Sequence, residues 1–127
     1  MMVLTLVYKV VHKETGDVIG HISLGKIDMI NKSTRVGKVL VGDKNVRGQG
    51  IGQLMVKEVL KVAFDELYLH RVSLGVFDFN VSAIKSYEKA GFIKEGLLRD
   101  SRKNGDEYWS LWEMSILENE WMEVKKC

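Results

Sequence analysis

The sequence contains no proline, so its turns must be built from glycine, asparagine and aspartate, and no proline-rich linker divides it. It contains one cysteine, Cys127, which excludes an intrachain disulfide and a cysteine-based zinc site. No apolar run approaches the roughly 18 residues that a membrane span needs. The apolar stretch Met1 to Leu6 is too short for a signal peptide, and no basic segment precedes it. A cytoplasmic protein without a membrane partner is expected. Neither sign of charge dominates: 19 Lys and Arg face 17 Asp and Glu, a formal +2. That balance argues against a dedicated nucleic-acid binder. What is present is 127 residues, 46% hydrophobic and 28% charged, with no internal repeat. This is enough for one core without metal or disulfide, so a single domain over residues 1–127 is expected.

The first third reads as antiparallel strands. Leu4 to His12 is rich in β-branched and aromatic residues, Lys13 to Asp17 is a polar turn, and Val18 to Ile30 follows. Asn31 to Thr34 reads as a second turn and Arg35 to Val41 as a third strand. The period then changes. From Gln53 to Leu67, Gln53, Lys57, Lys61 and Asp65 form one narrow polar stripe. The remaining positions are mostly apolar, Leu54 among them, which predicts a helix buried around most of its circumference. Arg71 to Phe77 alternates as a strand. Asn80 is a suitable N-cap for a helix that places Ala83, Ile84, Tyr87 and Ala90 on one face and ends at Gly91. Phe92 to Leu98 and Tyr108 to Ile116 read as a strand pair, with an Asn104-Gly105 turn between them. Tyr108, Trp112, Met114 and Ile116 share one side. Trp109 faces the other, toward an acceptor cleft or a dimer contact. Leu117 to Cys127 is a short helix or a tail. The order β-β-β-α-β-α-β-β predicts an α/β (α+β) fold. Its sheet is mixed and mostly antiparallel, with a central β-α-β crossover where a ligand site is expected.

Gly48, Gly50 and Gly52 alternate at the mouth of the first helix. Glycine lets backbone approach a ligand closely, and a helix N-terminus offers unpaired N–H groups with a partial positive charge. Together with Arg47 they make an anion site, or else only a tight strand-to-helix turn. A P-loop is excluded because Gln53 follows Gly52, and a dinucleotide fingerprint is excluded because Gln53 stands where its third glycine belongs.

Arg47-Gly48-Gln49-Gly50-Ile51-Gly52 resembles the R/Q-x-x-G-x-G/A signature of the GNAT superfamily of N-acetyltransferases. A second set resembles that superfamily's next motif region: Leu74-Gly75-Val76, Asn80, Ala83, Tyr87-Glu88-Lys89, Gly91-Phe92 and Glu95-Gly96. Arg99-Asp100 and the Tyr108 to Met114 strand resemble the branch that acetylates ribosomal-protein N-termini and small amines. The resemblance covers roughly residues 5 to 117 and implies the acyl-CoA N-acyltransferase fold, shortened at its N-terminus. It also implies an acetyl-CoA site. In the family, the strand before the loop carries a bulge and splays from its neighbour, and the freed backbone pairs with the pantetheine. Here that backbone is Val39, Leu40 and Val41. The pyrophosphate would lie on Arg47, Gly48, Gln49, Gly50, Ile51, Gly52 and Gln53. Asn80 would cap its helix and reach the cofactor, and Lys89 would contact a CoA phosphate or simply be solvated.

The chemistry is acetyl transfer from the thioester to a primary amine, on a small molecule or a peptide N-terminus. Tyr87 occupies the position of the family's general-acid tyrosine, although the helix pattern also fits a core aromatic. A base is harder to place, because Arg35 to Val41 contains no acidic residue. His21 and Asp43 are the nearest candidates, and ordered water is the alternative to either. His12 and His70 read as turn or edge residues. A covalent route through Cys127 has no neighbouring His or Asp to support it. The chain starts about where the family's second strand would lie, so the N-terminal wall of the acceptor groove is expected to be missing. A shortened product, a homodimer that supplies the wall, or a non-catalytic acyl-CoA-binding or oligomerising module are the expectations that follow.

Overall fold

The computed structural model describes residues 4–11, 18–41 and 51–125. Six strands form one sheet: β1 (Leu4–Val11), β2 (Val18–Asp28), β3 (Ser33–Val41), β4 (Arg71–Phe77), β5 (Ile93–Asn104) and β6 (Glu107–Leu117). Among the described residues three helices accompany the sheet: α1 (Ile51–Lys61), α2 (Val81–Ala90) and α3 (Glu118–Lys125). The spatial order is β1-β2-β3-β4-β6-β5. Only β3 and β4 run parallel; every other neighbouring pair is antiparallel. The expected mixed sheet and crossover are therefore present, with α1 in the connection between the parallel strands.

The alternation along β4 explains how the sheet divides into two faces. Val72, Leu74 and Val76 are buried, whereas Arg71, Ser73 and Gly75 are not. The first set joins Ile22, Leu24, Val36, Met114 and Ile116 in one core. That core packs against Met55, Val56, Val59, Leu60 and Ala63 from α1 and its extension, Ile84 and Ala90 from α2, and Trp121 from α3. All three helices thus cover the same face. Among the described residues no element covers the other.

Several boundaries differ from the sequence reading for local reasons. The turn before β3 lies at Met29 to Lys32, where the Asp28 carboxylate accepts from the Ile30 and Asn31 amides, both at 3.0 Å. Thr34 is pulled into the strand: it is buried opposite Val72 and donates to the Gly25 carbonyl at 2.9 Å. The long helix is not buried all round, since Leu54 is 57% exposed beside the exposed Glu58. After Lys61 it widens into a five-residue π-helical stretch, Val62–Glu66, with Leu67 donating to the Val62 carbonyl at 2.9 Å. There Phe64 stacks on Trp121, ring centroids 6.0 Å apart. The chain after Leu117 is helical, and Trp121 anchors it. β5 runs six residues past its expected end to Asn104, so the β5–β6 hairpin is long. Four steps on β5, Leu98 to Arg102, oppose two on β6, Leu111 to Trp109. Tyr108 lies beyond this bulge and is exposed, which removes it from the buried side it was expected to share with Met114 and Ile116.

Candidate active site at a fork between two parallel strands

The parallel seam is short. β3 pairs with β4 only where Ser33, Thr34 and Arg35 meet Arg71, Val72 and Ser73. Past that point β3 continues to Val41 and β4 to Phe77 without pairing to each other. The cause is visible on the other side of β3. Leu24 faces Val36 but Ile22 faces Val39, so Gly37 and Lys38 stand against Ser23 alone. This bulge turns the strand away from β4. A Cβ at Gly37 would lie 2.3 Å from Ser23 Oγ, so a larger residue there would have to turn the Ser23 hydroxyl aside.

Val39, Leu40 and Val41 therefore hydrogen-bond into the sheet on the β2 side, opposite Ile22, His21 and Gly20, and face the fork on the other. The expected bulge and splay are thus present in the backbone. Parallel strands release their following segments at the same end. α1 after β3 and the Asp78–Asn80 turn after β4 consequently flank the mouth of the fork. Leu54 on α1, Phe79 in that turn and Val81 at the start of α2 are all more than half exposed.

Arg47, Gly48, Gln49, Gly50 and Asp43 lie outside the described residues, as do His12 and Cys127. Ile51, Gly52 and Gln53 form the first turn of α1. That turn carries no acidic side chain, and a Cβ at Gly52 would meet nothing within 4 Å. Both features suit an anion at the helix N-terminus.

Tyr87 is half-buried on the inner side of α2 and packs edge-on against Phe92, centroids 6.0 Å apart. Burial pushes its phenol above the ordinary tyrosine value. Asn80 caps α2 by accepting from the Ala83 amide at 3.3 Å, and Gly91, at φ 109°, closes it. Lys89 is exposed. His21 is half-buried in the middle of β2. By alternation with Ile22 and Leu24 it belongs to the uncovered face, whereas Tyr87 belongs to the helix side. The fork lies between the two. Trp109 packs T-shaped on Phe77 and Phe79, centroids 5.0 and 5.1 Å away, and so shields the end of β4.

The uncovered face also carries polar groups that the sequence reading did not single out. Arg35 on β3 reaches across β4 to Glu113 on β6, pairing Nη1 with Oε1 and Nη2 with Oε2. Arg71 on β4 reaches across β6 to Glu95 on β5 at 2.5 and 3.0 Å, and Ser115 donates to Glu95 at 2.6 Å. The Arg71 guanidinium and the Ser115 hydroxyl hold the Glu95 carboxyl at about 2, well below its ordinary value. Neither pair has a local sequence signature, since the partners are 78 and 24 residues apart. The small residues Ser73 and Gly75 between Val72, Leu74 and Val76 were the available sign that something lies over this face of β4.

Residues 5–92 match the family model of the acetyltransferase (GNAT) family. The N-acetyltransferase p20 of Bacillus licheniformis, itself uncharacterized, is 31% identical over 114 residues, 90% of this chain and 63% of the relative. The spermidine N(1)-acetyltransferase of Vibrio cholerae is 26% identical over 113 residues, 89% of this chain and 64% of the relative. A crystal structure of spermidine N-acetyltransferase from that organism, in complex with CoA and spermine, superposes with a TM-score of 0.86 at 24% identity. The match covers 93% of this chain and 68% of that one. The chain thus spans less than two thirds of the length of both curated relatives. The forked sheet, the order of elements and the matched motifs agree: the chain belongs to the GNAT acetyltransferase family.

Proposed function

We propose that the chain is an acetyl-CoA-dependent N-acetyltransferase that moves an acetyl group directly from the thioester to a primary amine. The observation that carries this reading is the fork: two parallel strands that pair at one end and part at the other, with a helix N-terminus at the open end. The side of Val39 to Val41 that is not laddered to β2 suits an extended amide chain, which would add to β3 as a strand does. The first turn of α1 suits its diphosphate, with Arg47, Gly48, Gln49 and Gly50 contributing from the segment just before it. Acetyl-CoA supplies the activated acyl group. The rest of the work falls to the protein.

In the reaction a bond forms between the amine nitrogen and the acetyl carbon, and the carbon–sulfur bond breaks. The amine must first lose a proton, for which we assign His21, on the uncovered face. The departing thiolate must gain one, for which we assign Tyr87. Burial raises the Tyr87 phenol, so its hydroxyl keeps its proton at neutral pH and is there to donate a hydrogen bond to the thiolate as charge builds on sulfur. Asn80 positions Tyr87 by capping its helix. The acceptor is a small-molecule amine or a protein N-terminus. Spermidine is a reasonable first probe, given the relative named for it.

The test measures free thiol released from acetyl-CoA on addition of spermidine, L-amino acids or N-terminal peptides. Amine-dependent release that Tyr87→Phe lowers supports the assignment. CoA binding without release by any amine would favour a non-catalytic binding module. Calorimetry with no CoA binding to folded protein would end the reading altogether.

A further inference from the structure

The Arg35–Glu113 pair sits at one particular place on the sheet. Arg35 and Ser73 are the last residues to pair before β3 and β4 part. Gly75, two residues further along β4, lies opposite Glu113 in the β4–β6 ladder. The Arg35 side chain therefore starts at the vertex of the fork and lays its guanidinium over Ser73 and Gly75 of β4, on the uncovered face. It is held from beyond β4 by Glu113 and from within β4 by Ser73 Oγ, at 3.4 Å from Nη1. Gly75 is what makes room for it. A Cβ there would fall 2.7 Å from Arg35 Nη2 and 2.6 Å from Leu111 Cδ2.

We propose that Arg35 and Glu113 form a strap that fixes the vertex of the fork and so positions the acyl donor in it. Three features argue for this over an incidental surface pair. Isolated exposed ion pairs contribute little, but this one is bidentate and partly shielded, with Glu113 only 21% exposed. It joins two strands that are not neighbours, across β4, from the last rung at which β3 is still laddered to β4. It lies where the ladder stops, so its loss would be felt in the parted strands first. Both residues are positioning residues. With both oxygens engaged by one guanidinium, Glu113 is fitted to hold a strand rather than to shuttle a proton. The paired charges also cancel, which leaves the floor beside the fork with no net sign toward an incoming amine.

The inference rests on the acetyl-CoA reading for its effect on catalysis, but not for its effect on the fork. Amide hydrogen exchange is therefore followed first without any ligand, in Val36 to Val41 and Leu74 to Phe77. Arg35→Gln and Glu113→Gln should each speed exchange in these segments about tenfold, the scale of coupling usual for such contacts. Amides of α1 should stay unchanged. The KM for acetyl-CoA should rise about tenfold with kcat within about threefold, as expected when donor positioning is lost without touching the reacting groups. The charge-swapped double variant, Arg35→Glu with Glu113→Arg, should return both readouts to within about threefold of the parent. Should the glutamine variants fold poorly, Arg35→Lys, which keeps the charge and loses the bidentate grip, should still show faster exchange. Unchanged exchange in the parted strands, or a swap that rescues nothing, would overturn the strap. Loss of acetyl-CoA binding by the parent protein would instead overturn the functional reading and leave the exchange result standing.

Discussion

β4 has two very different flanks. On one side it is laddered to β6 along its whole length, Arg71 against Leu117 through Phe77 against Leu111. On the other it meets β3 at its first three residues and no further. The same strand is thus a fixed rail on one flank and one lip of a cleft on the other. Its side chains fit both duties. Val72, Leu74 and Val76 bury themselves under the helices, while Ser73 and Gly75 stay small where the uncovered face must admit other groups. The difference shows how a sheet can be stable and open at once: stability comes from the β6 flank and its core, and the open seam from the flank that the β3 bulge sets free.

The largest expected effect tests the fixed flank. Met114 is fully buried opposite Leu74. Met114→Ala should cost about 2–5 kcal/mol of unfolding free energy, measured by urea denaturation. Residual activity per folded molecule should remain, because the fork is not touched.

Next in size is the chemistry at the open flank. Tyr87→Phe should lower kcat by about 10²-fold or more with little change in melting temperature, since only a hydroxyl is removed. A drop in stability without loss of kcat would return Tyr87 to the core and leave the acid unassigned. Gly75→Ala sits between the two flanks. The added Cβ must displace Leu111 and the Arg35 guanidinium, at a cost of about 1–3 kcal/mol. Denaturation and the KM for acetyl-CoA, measured together, should both worsen. A change in stability alone would separate the two flanks cleanly.

The α2 cap comes after these, with Asn80→Ala expected to cost about 1 kcal/mol by denaturation. The smallest effect concerns pH. The Glu95 carboxyl titrates at about 2 in the folded chain, against an ordinary value of 4.5. Its contribution is therefore complete above about 4.5 and disappears as the pH falls from there toward about 2. Denaturation midpoints across that window should fall less steeply for Glu95→Gln than for the parent. Because the pair is partly solvent-exposed, the difference should be modest and should shrink with added salt.

Much of the fold was legible because its signals are local. Arg71 to Phe77 alternates with period two, and its limits were read to the residue. Asn80 and Gly91 announced the ends of α2. The glycine series marked the entry to α1, although most of it lies outside the described residues. The errors arose where tertiary contacts overrode local pattern. Thr34 reads locally as a turn residue but pairs with Val72 in the strand, and the π-helical stretch, which has no local signature, carries the Phe64 that stacks on Trp121. Tyr108 alternates correctly with Met114 but stands beyond a bulge that spacing does not reveal. At the site, the resemblance to GNAT enzymes pointed to the bulge and splay, and the structure contains both. Arg35 and Glu113 were invisible for a simpler reason: nothing in either neighbourhood records a partner on a strand that is not adjacent.

The long β5–β6 hairpin has a consequence for how the chain can vary. Its outer part, Arg99 to Tyr108, is detached from the core by the bulge at Leu98 to Arg102, and every residue within it except Ser101 is exposed. Insertions or deletions at the Gly105–Asp106 tip should be absorbed there, much as a cantilever can be lengthened without moving its footing. That tip is accordingly the natural place to graft a fluorophore or an affinity peptide, or for related chains to diverge in length, while the forked end of the sheet keeps its shape.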